Sequence, residues 1–179
     1  LHHENTDKLV KMLLSIMDEV YQEGRIVTET NVPHADNVSY FGNGYDESHM
    51  VYQIPLPMLV LYSFYKKEAS ILSNWALGLS LPSERTSFFN FLASHDGIGV
   101  NPVRSIVPEE EINGLIAHLQ EKSGALVSYK ENADGSKSAY EVNVSYFSAL
   151  REDYDFETAK RRYLNAHGVV LGLVTMDKS

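Results

Sequence analysis

An apolar run that ends abruptly in polar residues constrains the fold of this chain more than any other feature. Residues 87–99 read SFFNFLASHDGIG, and residues 88–92 are almost continuously apolar rather than alternating. Such a run is typical of a strand that is buried on both faces in a parallel sheet. His95 and Asp96 follow it directly, and two glycines come within the next three residues. The segment therefore predicts a buried parallel strand that delivers polar side chains to the rim of a site.

A second segment, residues 25–34 (RIVTETNVPH), has the same layout. Ile26 and Val27 form its apolar part, and Glu29 comes just before a loop. Because the carboxyl ends of parallel strands meet at one edge of a sheet, Glu29 and Asp96 are expected to lie near each other. Two carboxyl groups there form a candidate site for acid–base chemistry. The alternatives are a solvated loop glutamate at Glu29 and an aspartate that caps a turn at Asp96.

Helical and strand patterns alternate along the chain, which predicts an α/β fold with a parallel sheet or barrel. Apolar residues at three- and four-residue spacing predict a first helix over residues 5–23, with its stripe in the core: Leu9, Leu13, Ile16 and Val20. Proline and glycine positions help to place the remaining elements. We predict a helix that begins at Pro55 and carries Leu59, Val60 and Phe64, and further helices at 69–79, 108–121 and 156–173. Strands are predicted at 25–30, 48–54 and 86–94, a loop at 31–45, and a β-hairpin with arms 126–130 and 139–144.

Composition fits one globular domain over residues 1–179, with 44% hydrophobic and 22% charged residues. The net charge is −9 and no basic block occurs, so nucleic acid and anionic membranes are poor candidate partners. There is no cysteine, which excludes disulfides and thiolate chemistry and fits a reducing compartment, so we expect a cytoplasmic protein. We find no signal peptide and no apolar stretch of about 18 residues that could span a membrane.

Two other kinds of site are disfavoured by the spacing of the polar residues. Ser94, His95 and Asp96 are adjacent on a strand, where neighbouring side chains point to opposite faces, so they cannot form a hydrolase relay among themselves. His2, His3 and Glu4 lack a metal-ligand spacing. Two further pairs are interpreted as polar loop residues rather than ligands, so no metal site is predicted: His34 with Asp36, and Asp46 with His49.

Aromatic residues suggest a class of ligand. The chain has 11 tyrosines, and an aromatic group follows the first carboxylate: Tyr40, Phe41, Tyr45 and Tyr52. Aromatic faces stack on sugar rings, which favours a carbohydrate ligand. For any single tyrosine, ordinary core and rim packing is the better explanation.

Four segments together resemble a known family: TETNVPH (28–34), FGNGYDESHMVYQIPLPMLVL (41–61), FFNFLASHDGIGVNP (88–102) and YEVNVSYFSAL (140–150). They are similar to the sucrose-phosphorylase-like branch of glycoside hydrolase family 13. The TETNVPH form is more like the glucosylglycerate and sucrose-6-phosphate phosphorylases than sucrose phosphorylase itself. The resemblance extends over residues 1–173. It implies part of a TIM (β/α)8 barrel, namely strands five to seven with their helices, and a hairpin insertion at about 124–145.

The resemblance also implies roles for individual residues. Glu29 matches the general acid/base of this retaining family, and Asp96 matches the aspartate that stabilises the transition state. His95 matches a residue that binds glucose hydroxyls.

Four more residues of the matching segments are expected to contact substrate. Asn31 and His34 come from TETNVPH, and Tyr140 and Asn143 come from a loop that borders the acceptor site in this branch. The implied ligands are an α-glucoside and inorganic phosphate as co-substrate, with no cofactor and no metal.

The family's nucleophilic aspartate belongs to a fourth strand that would precede residue 1. The family also continues past its final helix into an eighth strand, whereas this sequence stops at VTMDKS. The sequence therefore predicts a fragment of an α-glucoside phosphorylase or hydrolase that is inactive alone. We expect it to form a homo-oligomer or to pair with the missing barrel half. Two alternatives stay open: a non-catalytic sugar-binding or assembly domain made from half a barrel, and an unrelated open-sheet α/β protein.

Overall fold

The computed structural model, which describes residues 4–173, contains a sheet of three parallel strands. The strands are β1 (Val27–Thr28), β2 (Met50–Tyr52) and β3 (Ser87–Phe89), in the order β1-β2-β3. Val27 pairs with Met50, and Val51 pairs with Phe88. The predicted parallel strands are therefore present, although each is shorter than its apolar run. The carboxyl ends of all three strands point to the same edge.

Seven helices are found in the described part of the chain. Proline and acidic residues mark helix starts as expected: Pro108 precedes three glutamates in the first turn of α5, and Gly124, with φ of 65°, ends it. Their bounds are α1 (Glu4–Val20), α2 (His34–Val38), α3 (Pro55–Lys66), α4 (Ser70–Leu77), α5 (Glu109–Ser123), α6 (Tyr146–Arg151) and α7 (Phe156–Gly172). None of them is long and apolar enough to cross a membrane.

The predicted hairpin is present and extends a second, antiparallel sheet. Its arms are β5 (Leu126–Glu131) and β6 (Lys137–Asn143), and β6 also pairs with the short strand β4 (Ile98–Gly99), so that the order is β4-β6-β5. Gly99 lies opposite Glu141 in this pairing. The hairpin is thereby fixed to the segment that follows β3. β4 was not predicted, because a two-residue strand has no periodic pattern of its own.

Helices α3 and α5 form the main hydrophobic core. The residues of α3 from Leu56 to Tyr62 are almost all buried, and α5 contributes a stripe at helical spacing: Ile112, Leu115, Ile116 and Leu119. A helix that is apolar around its circumference, like α3, is expected to be covered on every side. Tyr146, at the start of α6, donates a hydrogen bond from its hydroxyl to the carbonyl oxygen of Pro57 at 2.8 Å.

Shortening a side chain of α3 tests this core. Leu59 is fully buried, so we expect Leu59→Ala to lower the free energy of unfolding by about 2–5 kcal/mol, through lost burial and a residual cavity. Urea denaturation measures the change. Leu77→Ala, at a leucine that is mostly exposed, is the matched control and should change stability by less than about 0.5 kcal/mol. Equal losses for the two variants would contradict this assignment of the core.

The prediction for the apolar stripe of α1 is wrong. Leu9, Leu13 and Ile16 are about half exposed and Val20 is 80% exposed, whereas Val10 and Leu14 are buried. On the opposite side of the helix, Lys11 Nζ lies 2.8 Å from Asp46 Oδ2, so that this side faces the loop before β2. α1 therefore presents an uncovered apolar stripe to the surface.

Two further expectations differ from the structure. The run at 86–94 is not buried on both faces: Phe88 is buried but Phe89 is 39% exposed, because no described layer fully covers the face of β3 that carries Ser87 and Phe89. The predicted loop at 31–45 contains α2 and a 3-10 turn over Ser39–Phe41. α6 was also not predicted; Ser145 begins it by accepting a hydrogen bond from the Ser148 N–H.

Candidate functional site

A cavity of about 330 Å³ lies beyond the carboxyl ends of the parallel strands, with β4 and β6 along one side. Ile54, Pro57, Phe91 and Leu92 give it an apolar part. Its polar lining comes from three separate stretches of chain: Glu29, Asn31, Ser94, Asp96, Tyr140 and Glu141. The structure thus brings both predicted catalytic carboxylates, Glu29 and Asp96, to one cavity.

Glu29 lies one residue beyond the last paired residue of β1 and is exposed to the cavity. Thr28, before it, pairs with Val51 of β2. Thr30, after it, donates a hydrogen bond from its hydroxyl to Asn37 Oδ1 at 2.9 Å. The backbone is therefore fixed on both sides of Glu29, while its carboxylate stays free to meet a ligand.

Asp96 lies in the turn after β3, and its side chain is 54% exposed. Its backbone N–H donates to Ser94 Oγ at 3.2 Å, which shapes the turn. His95 Nε2 is 3.4 Å from Asp96 Oδ2, but the His95 side chain is 81% exposed and does not line the cavity. A protonated His95 would offset part of the charge of Asp96 from the solvent side.

The glycines after Asp96 let polar groups approach closely. A Cβ at Gly97 would lie 2.6 Å from Asn143 Oδ1, and one at Gly99 would lie 3.1 Å from Asn31 Oδ1. Any larger residue would push these amides away. Asn31 Oδ1 is buried and has no hydrogen-bond partner among the described residues. A ligand hydroxyl that donates to this oxygen would satisfy it.

Glu141 is a third carboxyl group in the cavity that the sequence did not single out. Burial raises the pKa of its carboxyl group, and the nearby negative charge of Asp96 raises it further. Glu141 is therefore protonated more readily than a glutamate in water. Glu141 reaches the cavity because β6 pairs with β4. In the sequence, only its position next to Tyr140 in the motif YEVN could have indicated this location.

The other predicted contact residues are divided between the cavity and its surroundings. Asn31 and Tyr140 line it. His34 does not: its ring packs near Trp75 and Phe88, with centroids 6.3 and 6.0 Å away, and burial lowers its pKa. Asn143 stands behind Gly97 and donates a hydrogen bond from Nδ2 to Ser128 Oγ at 3.2 Å.

The aromatic group that suggested a sugar ligand lies outside the cavity lining. Phe41 is fully buried, with Tyr40 beside it in a small core. Tyr45 donates a hydrogen bond from its hydroxyl to Glu84, and Tyr52 stacks on Phe89 with centroids 4.7 Å apart. These rings serve packing, and the aromatic side chains that do line the cavity are Phe91 and Tyr140.

No cluster of three or more metal-ligating side chains occurs in residues 4–173. His2 and His3 fall outside the described residues. His49 is buried and its Nδ1 accepts a hydrogen bond from the Ile26 N–H at 3.1 Å, while Asp46 pairs with Lys11. Both groups are therefore structural.

The arrangement suits a neutral, hydroxyl-rich ligand. Carboxylates, an amide and hydroxyls line the cavity, and within the described chain no lysine or arginine does so. Carboxylates accept hydrogen bonds from ligand hydroxyls and can transfer protons. Phe91 offers an apolar surface beside them.

Curated relatives match nearly the whole chain. Glucosylglycerate phosphorylase of Escherichia coli (strain K12) is 51% identical over 173 residues, which is 96% of this chain and 31% of the relative. Glucosylglycerate phosphorylase of Spirochaeta thermophila is 45% identical over 177 residues, which is 98% of this chain and 30% of the relative. The chain thus spans about a third of the length of these proteins. No protein-family model matches it.

A solved structure shares the fold. The crystal structure of sucrose 6F-phosphate phosphorylase from Thermoanaerobacter thermosaccharolyticum superposes with a TM-score of 0.69 and 20% identity, over 90% of this chain and 31% of that one. The predicted resemblance to the sucrose-phosphorylase-like branch of glycoside hydrolase family 13 is confirmed.

Proposed function

Since this chain is related over nearly its whole length to glucosylglycerate phosphorylases, we propose that it forms part of the active site of a retaining α-glucoside phosphorylase. The observation that carries the proposal is the single cavity lined by Glu29 and Asp96. Residues 1–179 make up one part of the catalytic barrel, corresponding to strands five to seven, and the hairpin at about 124–145 is an insertion in it. The substrate is a glucosylglycerate-like or sucrose-like α-glucoside, and inorganic phosphate is the co-substrate.

In the proposed mechanism, Glu29 is the general acid and base. It protonates the glycosidic oxygen of the leaving group while a carboxylate nucleophile attacks the anomeric carbon, which gives a glucosyl ester. In the second step Glu29 takes a proton from phosphate as the phosphate oxygen attacks that carbon and the ester bond breaks. The products are glucose 1-phosphate and the free nucleophile.

Asp96 acts on the same transition states without forming a bond. Its carboxylate stabilises the positive charge that develops on the sugar ring. Asn31 and His95 bind sugar or acceptor hydroxyls, and Tyr140 closes the acceptor side of the cavity. His34 and Asn143 act from behind the cavity by supporting its walls.

Residues 1–179 are proposed to lack the carboxylate that acts as the nucleophile in this mechanism. A retaining mechanism requires it about 5–5.5 Å from the acid/base. Glu141 is a poor candidate, because burial and Asp96 raise the pKa of its carboxyl group and so disfavour the ionised form that attacks. We therefore assign the nucleophile to a segment outside residues 1–179.

The uncovered apolar surfaces are proposed to contact that segment or a second copy of the chain. The stripe of α1 and the exposed ring of Phe89 would otherwise remain in water. Light scattering on residues 1–179 is expected to give more than the monomer mass of 20.2 kDa. A stable monomer at micromolar concentration would contradict self-association.

Phosphate-dependent release of glucose 1-phosphate tests the function. The polypeptide as it is made in the cell is expected to release it from glucosylglycerate or sucrose, whereas residues 1–179 alone are expected to release none. Rapid turnover by residues 1–179 alone would contradict an external nucleophile. If the cellular polypeptide releases free glucose equally with and without phosphate, the reaction is hydrolysis.

A second candidate is a non-catalytic sugar-binding or assembly domain. The three carboxyl groups and the orphaned Asn31 oxygen can hold sugar hydroxyls without any reaction. Calorimetric titration of residues 1–179 with glucose, together with light scattering, separates the two candidates. Weak glucose binding by a stable dimer that shows no turnover in any context favours this second function.

A further inference from the structure

The side chain of Asn37 joins the end of β1 to the end of β2. Asn37 is 1% exposed, and both ends of its amide are bonded. Its Oδ1 accepts from the Thr30 hydroxyl at 2.9 Å, and its Nδ2 donates to the Tyr52 carbonyl oxygen at 2.7 Å. Burying an amide costs free energy unless its polar atoms form hydrogen bonds. The two bonds of Asn37 therefore favour this one arrangement of the side chain and its partners.

The hydrogen bonds of the Asn37 side chain lie just beyond the last paired residues of β1 and β2. β1 and β2 pair only at Val27 with Met50 and at Thr28 with Val51. Glu29 is the next residue, and it has no partner in that ladder. Beyond Glu29, the Asn37 side chain bonds to Thr30 and to Tyr52 of β2. Its amide therefore links the two chain segments at the point where backbone hydrogen bonds between β1 and β2 have ended.

The same link continues toward Asp96. Tyr52 ends β2, and the next residue, Gln53, donates its backbone N–H to the carbonyl oxygen of Phe89 at 3.0 Å. Phe89 ends β3, from which the chain runs on to Asp96. Asn37 therefore connects the segment that carries Glu29, through the end of β2, to the segment that carries Asp96.

We propose that Asn37 is a positioning residue that fixes the Glu29 carboxyl group in the cavity relative to Asp96. The inference rests on the proposed function, because position matters most if Glu29 transfers a proton. A misplacement of about 1 Å can cost about 100-fold in rate. Loosening this strand end should therefore reduce the chemical step more than binding.

The experiment uses Asn37→Ala, which removes both bonds, and Thr30→Val, which removes one and leaves the bond to Tyr52 available. In the polypeptide as it is made in the cell, we expect kcat for phosphorolysis to fall about 100-fold in Asn37→Ala. KM should change by less than about threefold, because ligand contacts are retained. Thr30→Val should show a smaller loss, and Thr30→Ser, which keeps the hydroxyl, should restore a rate near that of the parent.

Asn113→Ala, at an exposed position on α5, is the matched control and should leave kcat unchanged. Amide hydrogen exchange supplies a readout that is independent of turnover. Exchange is expected to accelerate in the two variants at the Gln53 N–H, which donates to the Phe89 carbonyl oxygen, and to stay unchanged in the core of α3. If Asn37→Ala fails to fold, Thr30→Val carries the test by the same two readouts.

The outcomes separate this inference from the proposed function. Folded variants with unchanged kcat and unchanged exchange at Gln53 would overturn the positioning role. A rise in KM by the same factor as the fall in kcat, without faster exchange, would overturn it as well. If the parent polypeptide has no phosphorylase activity, the proposed function fails. Faster exchange localised at Gln53 would then still support the fixing of this end of the sheet by Asn37.

Discussion

Replacing Glu29 by glutamine is expected to reduce phosphorolysis of a natural α-glucoside by about 1,000-fold, within the range of general acid–base catalysis. Glutamine keeps the size of the side chain but cannot donate a proton to the leaving oxygen. The loss should therefore depend on the leaving group. Glucosylglycerate or sucrose needs protonation and should react very slowly, whereas an aryl α-glucoside with an acidic phenol should retain much of its rate.

Steady-state kinetics on both kinds of substrate measure this difference. Glu110→Gln, at an exposed position in the first turn of α5, is the matched control and should behave like the parent. If Glu29→Gln loses the same factor on both substrates, Glu29 is not the acid. If it loses nothing on either, Glu29 takes no part in the reaction.

Asp96→Asn is the second substitution with a large expected effect, a loss of about 1,000-fold, which corresponds to about 4 kcal/mol of transition-state stabilisation. Asparagine removes the negative charge beside the reacting sugar but leaves the shape of the turn, because the hydrogen bond to Ser94 comes from the backbone N–H. Both natural and aryl α-glucosides develop positive charge on the ring. The loss should therefore be similar for the two kinds of substrate.

The contrast between the two variants is the sharpest test of the assigned roles. Asp36→Asn, at an exposed position in α2, controls for the loss of one negative charge and should leave kcat and KM unchanged. A leaving-group dependence in Asp96→Asn like that of Glu29→Gln would show that the two roles had been exchanged. Retained activity in Asp96→Asn would remove it from the mechanism.

Local sequence patterns predicted the parallel strands and the location of Glu29 and Asp96 beyond their carboxyl ends, because an apolar run followed by polar residues depends on neighbours in the chain. The exposed stripe of α1 was not predictable in this way. Leu9 and Leu13 have the spacing of a buried face, but which face is covered depends on contacts far along the chain, such as that of Lys11 with Asp46.

Glu141 and Asn37 show the same limit within the site. Glu141 reaches the cavity through a strand pairing with Gly99, which lies 42 positions earlier in the sequence. Asn37 looked like part of a polar loop, and only its bonds to Thr30 and Tyr52 distinguish it. Neither contact produces a periodic pattern of apolar residues, so sequence patterns alone do not reveal either of them.

The division of the cavity between two sheets has a consequence for how such a site can diversify. The parallel sheet delivers Glu29 and Asp96, whereas the antiparallel hairpin delivers Tyr140 and Glu141. The hairpin is joined to the rest by the short pairing of β4 with β6. Under the proposed function, the parallel sheet carries the two carboxylates that act on glucose, and the hairpin borders the side of the cavity where the acceptor binds. The chemistry of transfer and the selectivity for the acceptor are then set by separate elements of the fold.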